Sequence, residues 1–241
     1  MADPLDLAFA GVYFLLAPLL DRLVLWPRFV AAARAGAPRA RLIGYRVAIA
    51  LEWLATALAV ALWARAGRPW RELGLVVPEG WRLVAGLAPA LAIVALARVQ
   101  RKAIAGLAPE RRRAAGERLG SLGLLTPRSD VEARWFSALS VSAGICEELL
   151  YRGYLQWLLR GWLPAGGAAC LVIVLFGGAH VYQGRSGALR AALVGAVFGG
   201  LALLTCSILP SILLHALVDL CSGAAGRALL RDDAPRPRTV P

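Results

Sequence analysis

Residues 191–214 read AALVGAVFGGLALLTCSILPSILL, a run without one charged side chain. At about 1.5 Å rise per residue, a single helix of this run would exceed the ~30 Å hydrocarbon core of a bilayer. Cys206, Ser207 and Pro210 interrupt it, and proline fits best in the first turn of a new helix. The run therefore reads as two spans, Ala191–Leu204 and Ile208–Gly226. Working outward, the further apolar segments are Leu7–Trp26, Leu42–Ala64, Trp81–Val99, Trp135–Leu159 and Pro164–Tyr182. The expectation is an all-α fold, a polytopic transmembrane helix bundle of seven spans. An eighth in the loop before Trp135 would make it seven or eight.

Composition agrees with that solvent. Of 241 residues, 59% are hydrophobic and 17% charged, with a mean hydropathy of +0.63. A soluble domain carries roughly 45–50% apolar and about 25% charged residues. The excess has no place in one soluble core, which excludes a soluble globular enzyme, a disordered chain and a disulfide-stapled secreted scaffold. The four cysteines (Cys146, Cys170, Cys206, Cys221) form no CxxC pair and read as small apolar fillers.

The net charge is +12. No run interleaves arginine with aromatic residues as a stacking platform would, so nucleic acid is not an expected partner. The arginines collect between spans instead: Arg28, Arg34, Arg39 and Arg41; a long loop from Arg98 to Arg134; and Arg227, Arg231, Arg236 and Arg238 in the tail. Seven spans put all three groups on one side, which the positive-inside rule makes cytoplasmic, C-terminus included. The basic Arg65–Arg82 loop then lies outside. Asp3 and Asp6 stand where a signal peptide would carry basic residues, so the first segment stays a membrane helix. Within the long loop, Pro109–Leu125 reads either as an interfacial helix or as a solvated connector. The chain divides into 1–130, N-terminal helices with the basic loop; 131–228, a helical core bearing the chemistry; and 229–241, a disordered tail.

An ionisable group at a helix centre costs ~2.5–3.5 kcal/mol on insertion scales, so each one calls for a role. Asp21 beside Arg22 reads as an interfacial pair. Glu52 either pairs with an arginine of a neighbouring helix or reaches a site. The others cluster in the C-terminal half: Glu147, Glu148, Arg152, His180, His215 and Asp219, with both histidines of the chain among them. Glu148 and Arg152 are four apart and can pair, while Glu147 points ~100° away around the helix. His215 and Asp219 share one stripe, as do Phe176 and His180. Interhelical polar glue is the plain reading, but Ser, Thr or Asn would provide it at lower cost. A sheltered carboxylate can act as general base for water, and imidazoles can exchange its proton or donate to an oxyanion. Cys146 has no histidine at helical spacing, which disfavours thiol catalysis.

These residues fall into three motifs, Glu147-Glu148-x-x-x-Arg152, Phe176-x-x-x-His180 and His215-x-x-x-Asp219. In that order, on separate apolar segments, they resemble the signatures of the CAAX prenyl protease type 2 and bacteriocin-processing (CPBP, Abi-like) family of intramembrane endopeptidases. The resemblance covers roughly Ala133 to Gly226 and implies a glutamate-dependent peptidase. Glu147 would activate water with help from His180, and His215 with Asp219 would face the oxyanion. Glu148 and Arg152 would support the helix. The implied partners are the lipid bilayer and a peptide or lipidated protein substrate, of CAAX-like, bacteriocin or sorting-signal type.

Position 219 departs from the eukaryotic-type motif, which has Asn. An ionised carboxylate only accepts hydrogen bonds, so Asp219 is held protonated, orients His215, or belongs to a metal site. Glu147, His180 and His215 are acceptable zinc ligands. A zinc-dependent metallopeptidase on the same residues therefore stays open beside metal-free catalysis, with no cofactor firmly expected. A non-proteolytic membrane immunity or binding protein is the alternative from another class. Small size and a preference for arginine over lysine point to a bacterial plasma membrane. Nothing in the sequence sets the oligomeric state.

Overall fold

The computed structural model describes residues 2–230. Nine helices form it: α1 (Pro4–Arg34), α2 (Ala40–Arg65), α3 (Trp81–Ala105), α4 (Pro109–Glu117), α5 (Leu122–Leu125), α6 (130–159), α7 (Ala165–Ala179), α8 (Arg185–Thr205) and α9 (Leu209–Leu229). Short 3₁₀ turns lie at Trp70–Leu73 and Val181–Gln183, and no strand occurs among the described residues. The expected tail beyond Leu230 lies outside the described residues.

Local chemistry sets the boundaries. Asp3 and Ser129 begin α1 and α6 with capping boxes, closed by Asp6 and Glu132. The uncharged run breaks where the sequence predicts: α8 ends at Cys206, left-handed at φ 54°, and Pro210 sits in the first turn of α9. The basic loop folds into α4 and α5 rather than one continuous helix. Wide π-type turns interrupt α1 at Val12–Leu16 and Asp21–Leu25, and α6 at Glu148–Leu155. Such turns are rare and frequent at functional sites.

Five helices (α1, α2, α3, α8 and α9) are long and apolar enough to cross a membrane, and only 11–33% of each crossing window is buried inside the protein. Leucines and valines such as Leu23, Leu54, Leu91, Val174 and Leu193 cover the outside, as lipid-facing surface would be. The expected Trp135–Leu159 span lies in α6, which carries Glu147, Glu148 and Arg152 midway. The Pro164–Tyr182 span contains α7, apolar but 15 residues long. Among the described residues, length and composition alone thus give five candidate spans, which does not confirm the expected seven or eight.

α6 is the central rod. It packs on α2 along one side and on α9 along another, while α7 lies on α8 and α3 on α9. The crossing with α9 is very close at Gly144, where an added Cβ would stand 2.9 Å from the Ala216 nitrogen and 3.0 Å from the Ile212 oxygen. That contact brings His215 against the glutamates that follow Gly144. The basic segments gather at one end: Arg41 donates to the Leu124 carbonyl (2.9 Å), Arg128 to the Leu230 carbonyl (3.2 Å), and Arg227 pairs with Asp130 (2.6 Å). A separate knot lies where Asp6, 1% exposed, pairs with Arg68 and accepts from the Tyr154 hydroxyl at 2.5 Å.

Candidate active site

Glu148 lies fully buried in the π-type stretch of α6. Its Oε1 accepts from Arg152 Nη1 at 2.9 Å, the pair the four-residue spacing predicts. The same oxygen lies 2.9 Å from His215 Nδ1, a link across to α9 that the sequence did not reveal. Arg152 also donates through Nη2 to the Gly195 carbonyl (2.9 Å) and lies over the Phe176 ring at 4.3 Å. A buried guanidinium, carboxylate and imidazole thus compensate one another, as buried charges must. Gly195 allows this approach: a Cβ there would meet Arg152 Nη2 and Phe176 Cδ1, both at 2.9 Å. Gly199, four residues further along α8, faces open space.

His215 is held on its other sides too. Phe198 stacks on the ring at 4.7 Å and 24°, and Phe176 stands edge-on at 6.2 Å. With Nδ1 committed to Glu148, Nε2 is the free edge. It faces Glu147 Oε2 at 3.9 Å and Asp219 Oδ2 at 3.8 Å. Both separations are too long for a direct hydrogen bond and suit a bridging solvent molecule. Exposure rises outward along this line, from 0% for the Glu148 side chain through 7% for His215 and 18% for Glu147 to 39% for Asp219.

His180 is the residue just past α7, where the helix leaves carbonyls without partners. Its Nδ1 lies 2.8 Å from the Phe176 carbonyl, so the two motif residues are joined through the backbone. The ring packs 4.7 Å from Phe176 and 5.9 Å from Tyr182. His180 lies within charge-interaction reach of Asp219, as do Glu147 and His215. Among the described residues it forms no ion pair with Glu147.

Asp21 makes no ion pair with Arg22; its helical turn packs against the turn Val181–Gln183 that follows His180. Glu52 pairs with no arginine either. It lies within charge-interaction reach of Glu147 and Asp219. Tyr13 of α1, which no pattern singled out, is in reach of both Glu147 and Glu52. Cys146 is fully buried beside Thr56. No group of three or more His, Cys, Asp or Glu is arranged to hold a metal ion among the described residues. A cavity of about 800 Å³ opens on the far side of Arg152, lined by Arg71, Gln156, Trp157 and Arg160, and none of the carboxylates or imidazoles of the site lines it.

Residues 130–221 match the family model described as Type II CAAX prenyl endopeptidase Rce1-like. The matched segment holds all three motifs, from Glu147 to Asp219. The match supports the CPBP family and, in general terms, a CAAX-type intramembrane protease. No curated protein and no solved structure matches the chain.

Proposed function

With residues 130–221 matching the type II CAAX prenyl endopeptidase family, we propose that this chain hydrolyses a peptide bond near the membrane surface in a hydrophobic or lipid-modified substrate, with Glu147 as the base. The observation that carries this reading is the 3.9 Å gap between Glu147 Oε2 and His215 Nε2, on two different helices, with His215 fixed from behind by Glu148. A water in that gap gives one proton to Glu147 while its oxygen adds to the scissile carbonyl. His215, with a proton on each ring nitrogen, donates Nδ1–H to Glu148 and Nε2–H toward the new oxyanion. Glu147 then returns its proton to the amide nitrogen, the C–N bond breaks, and an acid and an amine leave. His180 exchanges protons with this water through solvent, and Asp219 stands as the counter-charge beside Nε2. The bundle sits in a bacterial plasma membrane with its basic end cytoplasmic.

Intact-mass analysis tests this directly. A farnesylated peptide with a Cys-aliphatic-aliphatic-X terminus, and candidate hydrophobic membrane peptides, are incubated with wild-type and Glu147→Gln protein. Wild type yields two fragments summing to the parent plus one water. The variant yields none, at an unchanged unfolding temperature. Undiminished cleavage by Glu147→Gln removes the mechanism. Full cellular protection by that variant without cleavage favours the immunity-protein alternative.

A further inference from the structure

The segment matched to the protease family begins at residue 130, yet α2 carries a carboxylate into the same polar space. Trp53 donates from Nε1 to the Ser142 hydroxyl of α6 at 3.0 Å, which fixes how α2 lies on α6. One turn along, Thr56, 4% exposed, lies against Cys146, the neighbour of Glu147. Glu52 is four residues before Thr56 and so on the same stripe. Two carboxylate oxygens of these helices, within charge-interaction reach of one another, are buried without a hydrogen-bond partner: Glu52 Oε2 and Glu147 Oε2. Buried polar atoms in native proteins are nearly always satisfied, by protein or by ordered water. A single water offers two O–H donors, enough to satisfy both carboxylate oxygens at once.

We propose that Glu52 is a further catalytic residue of this site, accepting the second O–H of the water whose first O–H is taken by Glu147. Held between two acceptors on different helices, the water oxygen is left with its lone pairs turned toward the substrate carbonyl. During attack the proton moves to Glu147 as before, and Glu52 keeps its hydrogen bond to the remaining O–H. No further bond or co-reactant is needed. This role rests on the reading of Glu147 as the base.

The test is steady-state cleavage of the farnesylated peptide by the full-length protein in lipid nanodiscs, comparing wild type, Glu52→Leu, Glu52→Gln and Glu147→Gln. Glu52→Leu is expected to lower kcat about 10²-fold, the lower end of what positioned acid–base groups contribute, with KM and unfolding temperature little changed. Glu52→Gln keeps an amide oxygen that accepts the same O–H, and retains kcat within about tenfold. Wild-type kcat in Glu52→Leu, with Glu147→Gln inactive, overturns the role of Glu52 and leaves the base intact. Glu52→Gln as inactive as Glu52→Leu also overturns it, since charge rather than an acceptor would then matter. An active Glu147→Gln, or no cleavage by wild type, overturns the base itself and Glu52 with it. If Glu52→Leu does not fold, Glu52→Met makes the same comparison at similar length.

Discussion

Glu148 organises the site from inside the protein. One of its oxygens receives both Arg152 and His215, each at 2.9 Å, so a single carboxylate sets the position of an imidazole on another helix. Replacing Arg152 by methionine would leave Glu148 buried without its guanidinium. Breaking such a pair from one side typically costs about 3–5 kcal/mol. We expect Arg152→Met to lower the unfolding temperature by many degrees in detergent, and Arg152→Met with Glu148→Gln to recover part of it. An unchanged unfolding temperature in the single variant would mean that the ion pair is not carrying the imidazole. The Glu148–Arg152 pairing was legible from a four-residue spacing. The bond from Glu148 to His215 was not, because 67 residues separate them and helical periodicity says nothing across helices.

At the scale of helices, one glycine decides whether the two halves of the site meet. Gly144 lets α6 approach the α9 backbone so closely that any Cβ meets Ala216 N at 2.9 Å. Gly144→Ala is therefore expected to destabilise by about 1–3 kcal/mol, the usual range for overpacking, and to lose cleavage as Glu147 and His215 move apart. Gly199→Ala, which meets nothing within 4 Å, should leave both unchanged and serves as the control. Equal unfolding temperatures and rates for both variants would contradict the close crossing. The chain carries a Gly195-x-x-x-Gly199 spacing of the kind that lets helices approach closely, and only Gly195 is used so, against Arg152 and Phe176. Gly144 had no partner glycine at helical spacing and was invisible as a crossing point. The split of the uncharged run at Cys206–Pro210 was legible, because overlength and proline both act locally. The π-type turn from Glu148 to Leu155, buried along its whole length, was not, since no local residue pattern marks it.

For the whole molecule, the same asymmetry orders charge and chemistry. Arg41, Arg128 and Arg227 tie the basic segments into one end of the bundle, whereas Arg68 and Asp6 form a separate buried knot with Tyr154. If the basic end is cytoplasmic, a cysteine placed at Arg111 is protected from an impermeant maleimide in intact spheroplasts, and one at Gly67 is labelled. In a background free of native cysteines, the reverse pattern would invert the orientation. Hydropathy and arginine distribution made the bundle legible, and the three motifs located most of the candidate site. What the motifs leave out comes from the N-terminal half: Glu52, which its depth alone singled out, and Tyr13, which nothing did, come within reach of Glu147 only through the packing of α1 and α2 on α6. In the proposed mechanism a carboxylate and an imidazole from separate membrane helices share one reactive water. Single-turnover cleavage of the farnesylated peptide, by wild type and Glu147→Gln in the presence of excess chelator, measures it most directly. Full wild-type rate under chelation is expected, with a fall of about 10³-fold in the variant, within the range for loss of a general base; a wild type silenced by chelation, or a variant as fast as wild type, would overturn the shared-water mechanism.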